Sequence, residues 1–213
     1  MCGISGSSNL DKAFDLYKKN LSRGCYSSGF AGLILNSGEK SVNFVVHRQK
    51  GELSKEDILT CIEELPKINF YAFHSRAPTN SIEEKWNPRT THPFLQDGYL
   101  VAHNGIISNF KNLPEHKNFQ VDSEIIPHYM CKEENIKAAY SKLEGLLTSW
   151  LYHFGELFLI KAGSSLWIKE DCFSSVEFEG ATQIETDGNI FQYTSNNTFE
   201  VVDQFNYTNP YFV

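Results

Sequence analysis

No stretch of the 213 residues is apolar over the ~20 positions that a membrane-spanning helix requires. The first ten residues, MCGISGSSNL, also lack the basic start and apolar core of a secretory signal. A chain without membrane contact is therefore expected. Basic surface is missing too: Lys and Arg total 19 against 26 Asp and Glu, a net charge of −7, and the cations are scattered. That excludes a broad patch for phosphate backbones, so nucleic acid is not expected as a direct partner. The cysteines, at 2, 25, 61, 131 and 172, contain no CxxC pair and no His/Cys cluster at zinc spacing, and they are odd in number. Reduced thiols in the cytoplasm are expected, with no metal site. Repeats, low-complexity tracts and linkers are also absent, so residues 1–213 are read as one domain.

What is present is the material of a folded core: 41% hydrophobic residues, with Phe 16 and Tyr 10. The Gly/Ser-rich opening, residues 2–8, suits a short strand whose backbone approaches something closely. Asp11 then stands as N-cap before Ala13, Phe14, Leu16, Tyr17 and Leu21, which share one helical face. Residues 30–35 and 42–46 read as a hairpin around Asn36-Ser37-Gly38. Ser54 opens a second helix through an ST-x-x-[DE]-like start. Residues 69–73 and 99–102 are predicted strands, the latter ending at His103-Asn104-Gly105, and residues 123–140 are predicted mainly helical. Residues 75–91 form a long polar loop of the length that serves a site. Further strands are expected at 156–161, 165–169, 176–179, 190–193 and 199–202. The total is two or three helices and about ten strands.

Several residues carry two readings each. Cys2 is either incidental or, once Met1 is removed, a nucleophile with its own base. The freed α-amine, with an ordinary pKa of roughly 7.7 to 8.0, takes the thiol proton directly or through a water. Asn104-Gly105 is either a turn dipeptide or a side-chain amide and a backbone N–H that stabilise an oxyanion. Arg76 is either half of a surface ion pair or a bidentate fork for a carboxylate. Asp122 is either a helix N-cap or the partner of an ammonium. The remaining cysteines, Cys25, Cys61, Cys131 and Cys172, read as ordinary thiols.

Taken together, Cys2-Gly-Ile4, Arg23-Gly-Cys-Tyr-Ser-Ser-Gly29, His74-Ser-Arg76, Thr91-His-Pro-Phe94, Ala102-His-Asn-Gly-Ile-Ile-Ser-Asn109 and Asp122-Ser-Glu124 resemble, in order and spacing, the motifs of class II glutamine amidotransferases, which are N-terminal-nucleophile hydrolases. The resemblance implies an α+β fold in four αββα layers, with two stacked, mostly antiparallel sheets between flanking helices. It implies Cys2 as nucleophile, Asn104 and Gly105 as oxyanion hole, Arg76 on the α-carboxylate of glutamine and Asp122 on its α-ammonium. Thr79 would contact the same substrate. Arg23, His92 and His103 would support the pocket as hydrogen-bonded scaffold. The implied reaction converts glutamine to glutamate and ammonia through a γ-glutamyl thioester, with no metal or organic cofactor. In this family an acceptor domain normally follows the glutaminase; here the chain ends at Val213, so a separate synthetase or transferase chain is expected to receive the ammonia.

The loop departs from the family pattern where a tryptophan follows the arginine: here Ala77 stands after Arg76, and Trp86 either replaces the lost lid or packs. Two other functions fit the residues: an amidase of the same fold acting on another amide, and a non-catalytic protein that senses glutamine or docks to a partner.

Overall fold

Side chains of an extended segment point alternately to its two faces, and stacking the apolar faces of paired strands builds two sheets. The computed structural model describes residues 2–35, 43–63, 65, 67–77, 86–209 and 211. In chain order the elements are β1 (Gly3–Ser7), α1 (Leu10–Asn20), β2 (Ser27–Leu33), β3 (Phe44–Lys50), α2 (Lys55–Ile62), β4 (Phe70–Arg76), β5 (Phe94–Gln96), β6 (Tyr99–Ile107), α3 (Ile125–Lys132), α4 (Ile136–Tyr140), β7 (Gly145–His153), β8 (Glu156–Ile160), β9 (Trp167–Lys169), β10 (Cys172–Ser174), β11 (Thr182–Gln183), β12 (Asn189–Tyr193) and β13 (Phe199–Gln204). One sheet has the order β11-β9-β10-β1-β4-β2-β3 and the other β13-β12-β8-β7-β6-β5. The pairings are antiparallel in both sheets.

Three apolar layers hold four structural ones. Between the sheets, Ile4, Ala31, Leu33, Phe70 and Ala72 meet Leu100, Ala102, Trp150, Tyr152 and Leu159. Helices α1 and α2 cover the first sheet through Ala13, Tyr17 and Ile58, with Leu53 just before α2, against Phe30 and Phe73. Helices α3 and α4 cover the second through Ile125, Ile126, Tyr129 and Tyr140 against Val101, Leu147 and Leu151. The result is the α+β arrangement of two antiparallel sheets with flanking helices. Polar ties cross the sandwich: the Trp150 indole donates to the Phe73 carbonyl at 3.3 Å, and the Tyr152 hydroxyl donates to that of Ile34 at 3.1 Å.

The helices start where capping is satisfied. Ser54 and Asp57 form a reciprocal capping box at the start of α2, as their spacing predicts. The cap of α1 is Asn9 rather than Asp11: the extended Asn9 accepts the Lys12 N–H at 3.0 Å, and Asp11 sits in the first turn. Strands β2 and β3 pair as expected, but the predicted turn at Asn36-Ser37-Gly38 lies outside the described residues.

Two corrections concern strands. β6 does not end before His103; it continues to Ile107, with Asn104 beside Thr148 and Gly105 beside Leu147 on β7. Its partner β7 is not predicted from sequence, because a strand buried on both faces shows no alternation. Residues 176–179 form no strand, the Val176 N–H turning back to the Ser174 hydroxyl at 3.0 Å.

Candidate active site

The strand period places the site. Ile4 on β1, Phe70 and Ala72 on β4, and Leu100 and Ala102 on β6 all face the space between the sheets. Counting on by twos, Cys2, His74 with Arg76, and Asn104 continue the same rows at one end of that space. Register brings them level: Gly3 pairs with Ser75 and Ser27 with Arg76, so Cys2 enters β1 beside Arg76. A cleft of about 710 Å³ opens there, and Cys2, Arg76, His92, His103, Gly105 and Asp122 line it.

Cys2 is held by its backbone. The Arg23 Nε donates to the Cys2 carbonyl at 2.6 Å, and the same guanidinium reaches the Ser165 hydroxyl and the Ser175 carbonyl. The thiol points toward the Ala77 carbonyl, 3.7 Å away, and burial pushes its pKa above the ordinary cysteine value. Such a thiol stays protonated near neutral pH, so its use as a nucleophile requires a base.

The free edge of β6 supplies donors. β5 covers only residues 99–101, leaving the edge open beyond them. The His103 carbonyl accepts from His74 Nε2 at 3.1 Å, and the Ile107 N–H donates to Asp122 Oδ2 at 2.7 Å, both away from β7. Gly105 lies between them at the same phase of an extended strand, so its N–H points to the same edge, into the cleft. Only glycine fits there: a Cβ would stand 1.8 Å from the Leu146 carbonyl oxygen and 2.8 Å from His103 Nε2. Asn104 is 1% exposed, with its Nδ2 at 3.0 Å from the Ser175 hydroxyl and its Oδ1 without a partner among the described residues.

Arg76 and Asp122 bring opposite charges to the cleft. Arg76 donates to the Thr90 carbonyl at 3.2 Å and lies over the Tyr26 ring, 5.7 Å from its centroid. Asp122 is not the N-cap of an α-helix; it opens a 3-10 turn, and the Ser123 N–H donates to its Oδ1 at 2.9 Å. With Oδ2 taken by Ile107, backbone donors orient the carboxylate.

The three buried histidines are neutral. Burial lowers His74 to about 3 and lowers His92 and His103 as well. His103 donates through Nε2 to the Leu146 carbonyl at 2.7 Å, which leaves Nδ1 to accept from the Ser123 hydroxyl at 2.9 Å. His92 packs its ring 3.9 Å from that of His74 and 4.5 Å from Phe94. Its carbonyl oxygen would be 1.8 Å from a Cβ at position 29, so Gly29 lets two of the sequence motifs meet.

Thr79 and Met1 lie outside the described residues, and Trp86 is not among the described residues lining the cleft. Ser165 and Ser175, which the structure adds, carry no sequence signal of their own, while Tyr26 lies inside the Arg23–Gly29 motif. Among the described residues no group of His, Cys, Asp or Glu is arranged to hold a metal, and no helix is long and apolar enough to cross a membrane.

No protein-family model matches the chain. Curated relatives include the glutamine–fructose-6-phosphate aminotransferases (isomerizing) of Rhizobium leguminosarum bv. viciae, 31% identical over 147 residues, and of Agrobacterium fabrum, 29% identical over 143. Each alignment covers 62% of this chain and 22% of the relative, so the chain spans about a fifth of these proteins. The structure is similar to that of glutamine phosphoribosylpyrophosphate amidotransferase from B. subtilis, with a TM-score of 0.66 at 17% identity, over 94% of this chain and 49% of that one. It also resembles a glutamine aminotransferase class-II domain protein from Silicibacter pomeroyi, with a TM-score of 0.59 at 11% identity, over 96% and 99% of the two chains. At such identities these two share the fold, while the curated relatives share sequence over 62% of this chain. On these likenesses the chain is similar to glutamine amidotransferases in part of its sequence and in its fold.

Proposed function

We propose that this chain hydrolyses the side-chain amide of glutamine, with Cys2 as nucleophile after removal of Met1. The observation that carries this reading is the meeting, in one cleft, of Cys2, the outward Gly105 N–H, Arg76 and Asp122. A free amino acid presents a carboxylate and an ammonium, and Arg76 and Asp122 are complementary to that pair. Because burial keeps the thiol protonated and the nearby histidines are poor bases, the α-amine of Cys2 serves as base. It takes the thiol proton as sulfur bonds to the amide carbon, and the developing oxyanion is held by Gly105 and Asn104. The amine returns the proton to the departing nitrogen as the C–N bond breaks, releasing ammonia and leaving a γ-glutamyl thioester. Water, deprotonated by the same amine, then adds to the thioester; the C–S bond breaks, glutamate leaves and the thiol is restored.

The ammonia is passed, on this proposal, to a separate synthetase or transferase in the cytoplasm. The curated relatives carry names that join glutamine to an acceptor, fructose 6-phosphate.

Intact mass before and after treatment with 6-diazo-5-oxo-norleucine, with Cys2→Ala as control, tests the reading. Loss of Met1 and one adduct that vanishes in the variant are expected. A retained Met1 with no adduct would overturn the enzymatic reading and leave a glutamine-sensing or partner-binding protein; turnover of other amides in place of glutamine would make it an amidase.

A further inference from the structure

Ser175 follows β10 in the seven-stranded sheet and is 2% exposed. Its hydroxyl touches both halves of the reaction centre. It accepts the Ile4 N–H at 3.1 Å, two residues from Cys2 on β1, and lies 3.0 Å from the terminal amide of Asn104 on β6, in the other sheet. Its backbone is fixed as well: the N–H donates to the Ile4 carbonyl at 2.9 Å, and the carbonyl accepts from Ser165 and Arg23.

The inventory of donors at this hydroxyl decides how the amide must sit. The Ile4 N–H can only donate, so one lone pair of the Ser175 oxygen is committed. If Asn104 presents its NH₂ end, the serine oxygen accepts twice and its own proton has no acceptor among the described residues. Asn104 Oδ1 is then a buried acceptor with no donor among the described residues. If the amide turns over, the Ser175 O–H donates to Oδ1, and the orphan acceptor is exchanged for an NH₂ group with no acceptor among the described residues. The NH₂ group then occupies the position that had no protein partner and is left to donate to a reacting group. The exchange of the two ends changes no heavy-atom position by more than the difference between nitrogen and oxygen.

We infer that Ser175 is a positioning residue that holds Asn104 with its NH₂ end free, so that the amide is preset as an oxyanion donor while the same hydroxyl ties that donor to the nucleophile strand. The inference rests on the glutaminase reading for its catalytic meaning. Arg23 fixes the Cys2 backbone from one side and Ser175 couples its strand to the hole from the other, so nucleophile and hole move as one body across the sandwich.

The test is a double-mutant cycle on glutamine hydrolysis, with a neutron structure of the wild-type protein after deuterium exchange. Ser175→Ala should lower kcat by about ten- to a hundredfold with KM little changed, part of the 10²–10³ that losing an oxyanion donor outright costs. Ser175→Thr, which keeps the hydroxyl, should recover most of it. In an Asn104→Ala background Ser175→Ala should add almost nothing, since both act through one amide. An additive loss in the Asn104→Ala background would make Ser175 merely structural and overturn the inference. The neutron map decides the orientation without reference to turnover: deuterons on the Asn104 end away from Ser175 are expected, and deuterons on the end facing it overturn the inference. A wild-type chain that leaves glutamine intact would sink the glutaminase reading, while the map would still decide which way the amide is held.

Discussion

The space between the two sheets has two unlike halves, although the same strands build both. At one end β4 contributes Phe70 and Ala72 and β6 contributes Leu100 and Ala102, fully buried with Trp150 and Tyr152. There Phe70 packs with its ring centroid 5.1 Å from that of Tyr193 and 6.3 Å from that of Phe173. At the other end the same rows continue as His74, Arg76 and Asn104. Buried atoms without partners among the described residues gather here: Nδ1 of His74, both ring nitrogens of His92, and one end of the Asn104 amide. An unpartnered buried polar atom costs roughly 1–3 kcal/mol. The polar end therefore weakens the fold, and the apolar end offsets it. Pre-arranged donors and acceptors exist at the cleft because the aromatic half holds the strands in register.

That division can be broken from either side. The largest effect on stability is expected from Phe70→Ala, about 3–5 kcal/mol from lost transfer energy and a cavity. By calorimetry the Tm should fall by roughly 10 °C, while glutamine turnover per folded molecule at 25 °C stays near wild type. A matching fall in turnover would mean that the halves are not separable.

Asn104→Ala should behave in the opposite way. Turnover should drop by about 10²–10³, and the Tm should fall by only a few degrees, because one buried hydrogen bond to Ser175, worth about 1 kcal/mol, is lost. A large loss of Tm would show the amide to be a structural tie.

The smallest effect sharpens the comparison through pH. The folded pKa of His74, about 3, lies below its ordinary value because burial disfavours the charged ring. As pH falls from about 6.5 toward 3, the unfolded chain takes up a proton that the folded chain refuses, so stability decreases across that window by about 1.4 kcal/mol per pH unit per histidine. Urea unfolding at pH 7, 6 and 5 should show this loss, and His74→Gln should reduce the slope by one proton's worth. An unchanged slope would mean that His74 accepts a proton in the folded state.

How far the sequence can be read differs from element to element. The Ser54 capping box is visible because its hydrogen bonds run between residues three apart, and the same local logic signals α1. Asn9 cannot be told from Asp11, since either side chain suits a cap and the choice depends on where the chain leaves β1. The Asn104-Gly105 pair has the sequence of a turn and becomes strand only because β7, from 40 residues downstream, pairs with it. Cys2, Arg76, Gly105 and Asp122 stand out through ordered motifs, but nothing local says that they share a cleft.

The capping box of α2 and the identity of the motif residues were legible along the chain, because a cap is closed by residues three positions apart and each motif is a short run. Only the tertiary structure decided that Cys2 enters β1 level with Arg76, that the edge of β6 is left open past residue 101, and that Ser175 spans the sheets to Asn104. Those facts depend on strand register and sheet stacking, which join residues as far apart as 171 positions and leave no trace in any local pattern.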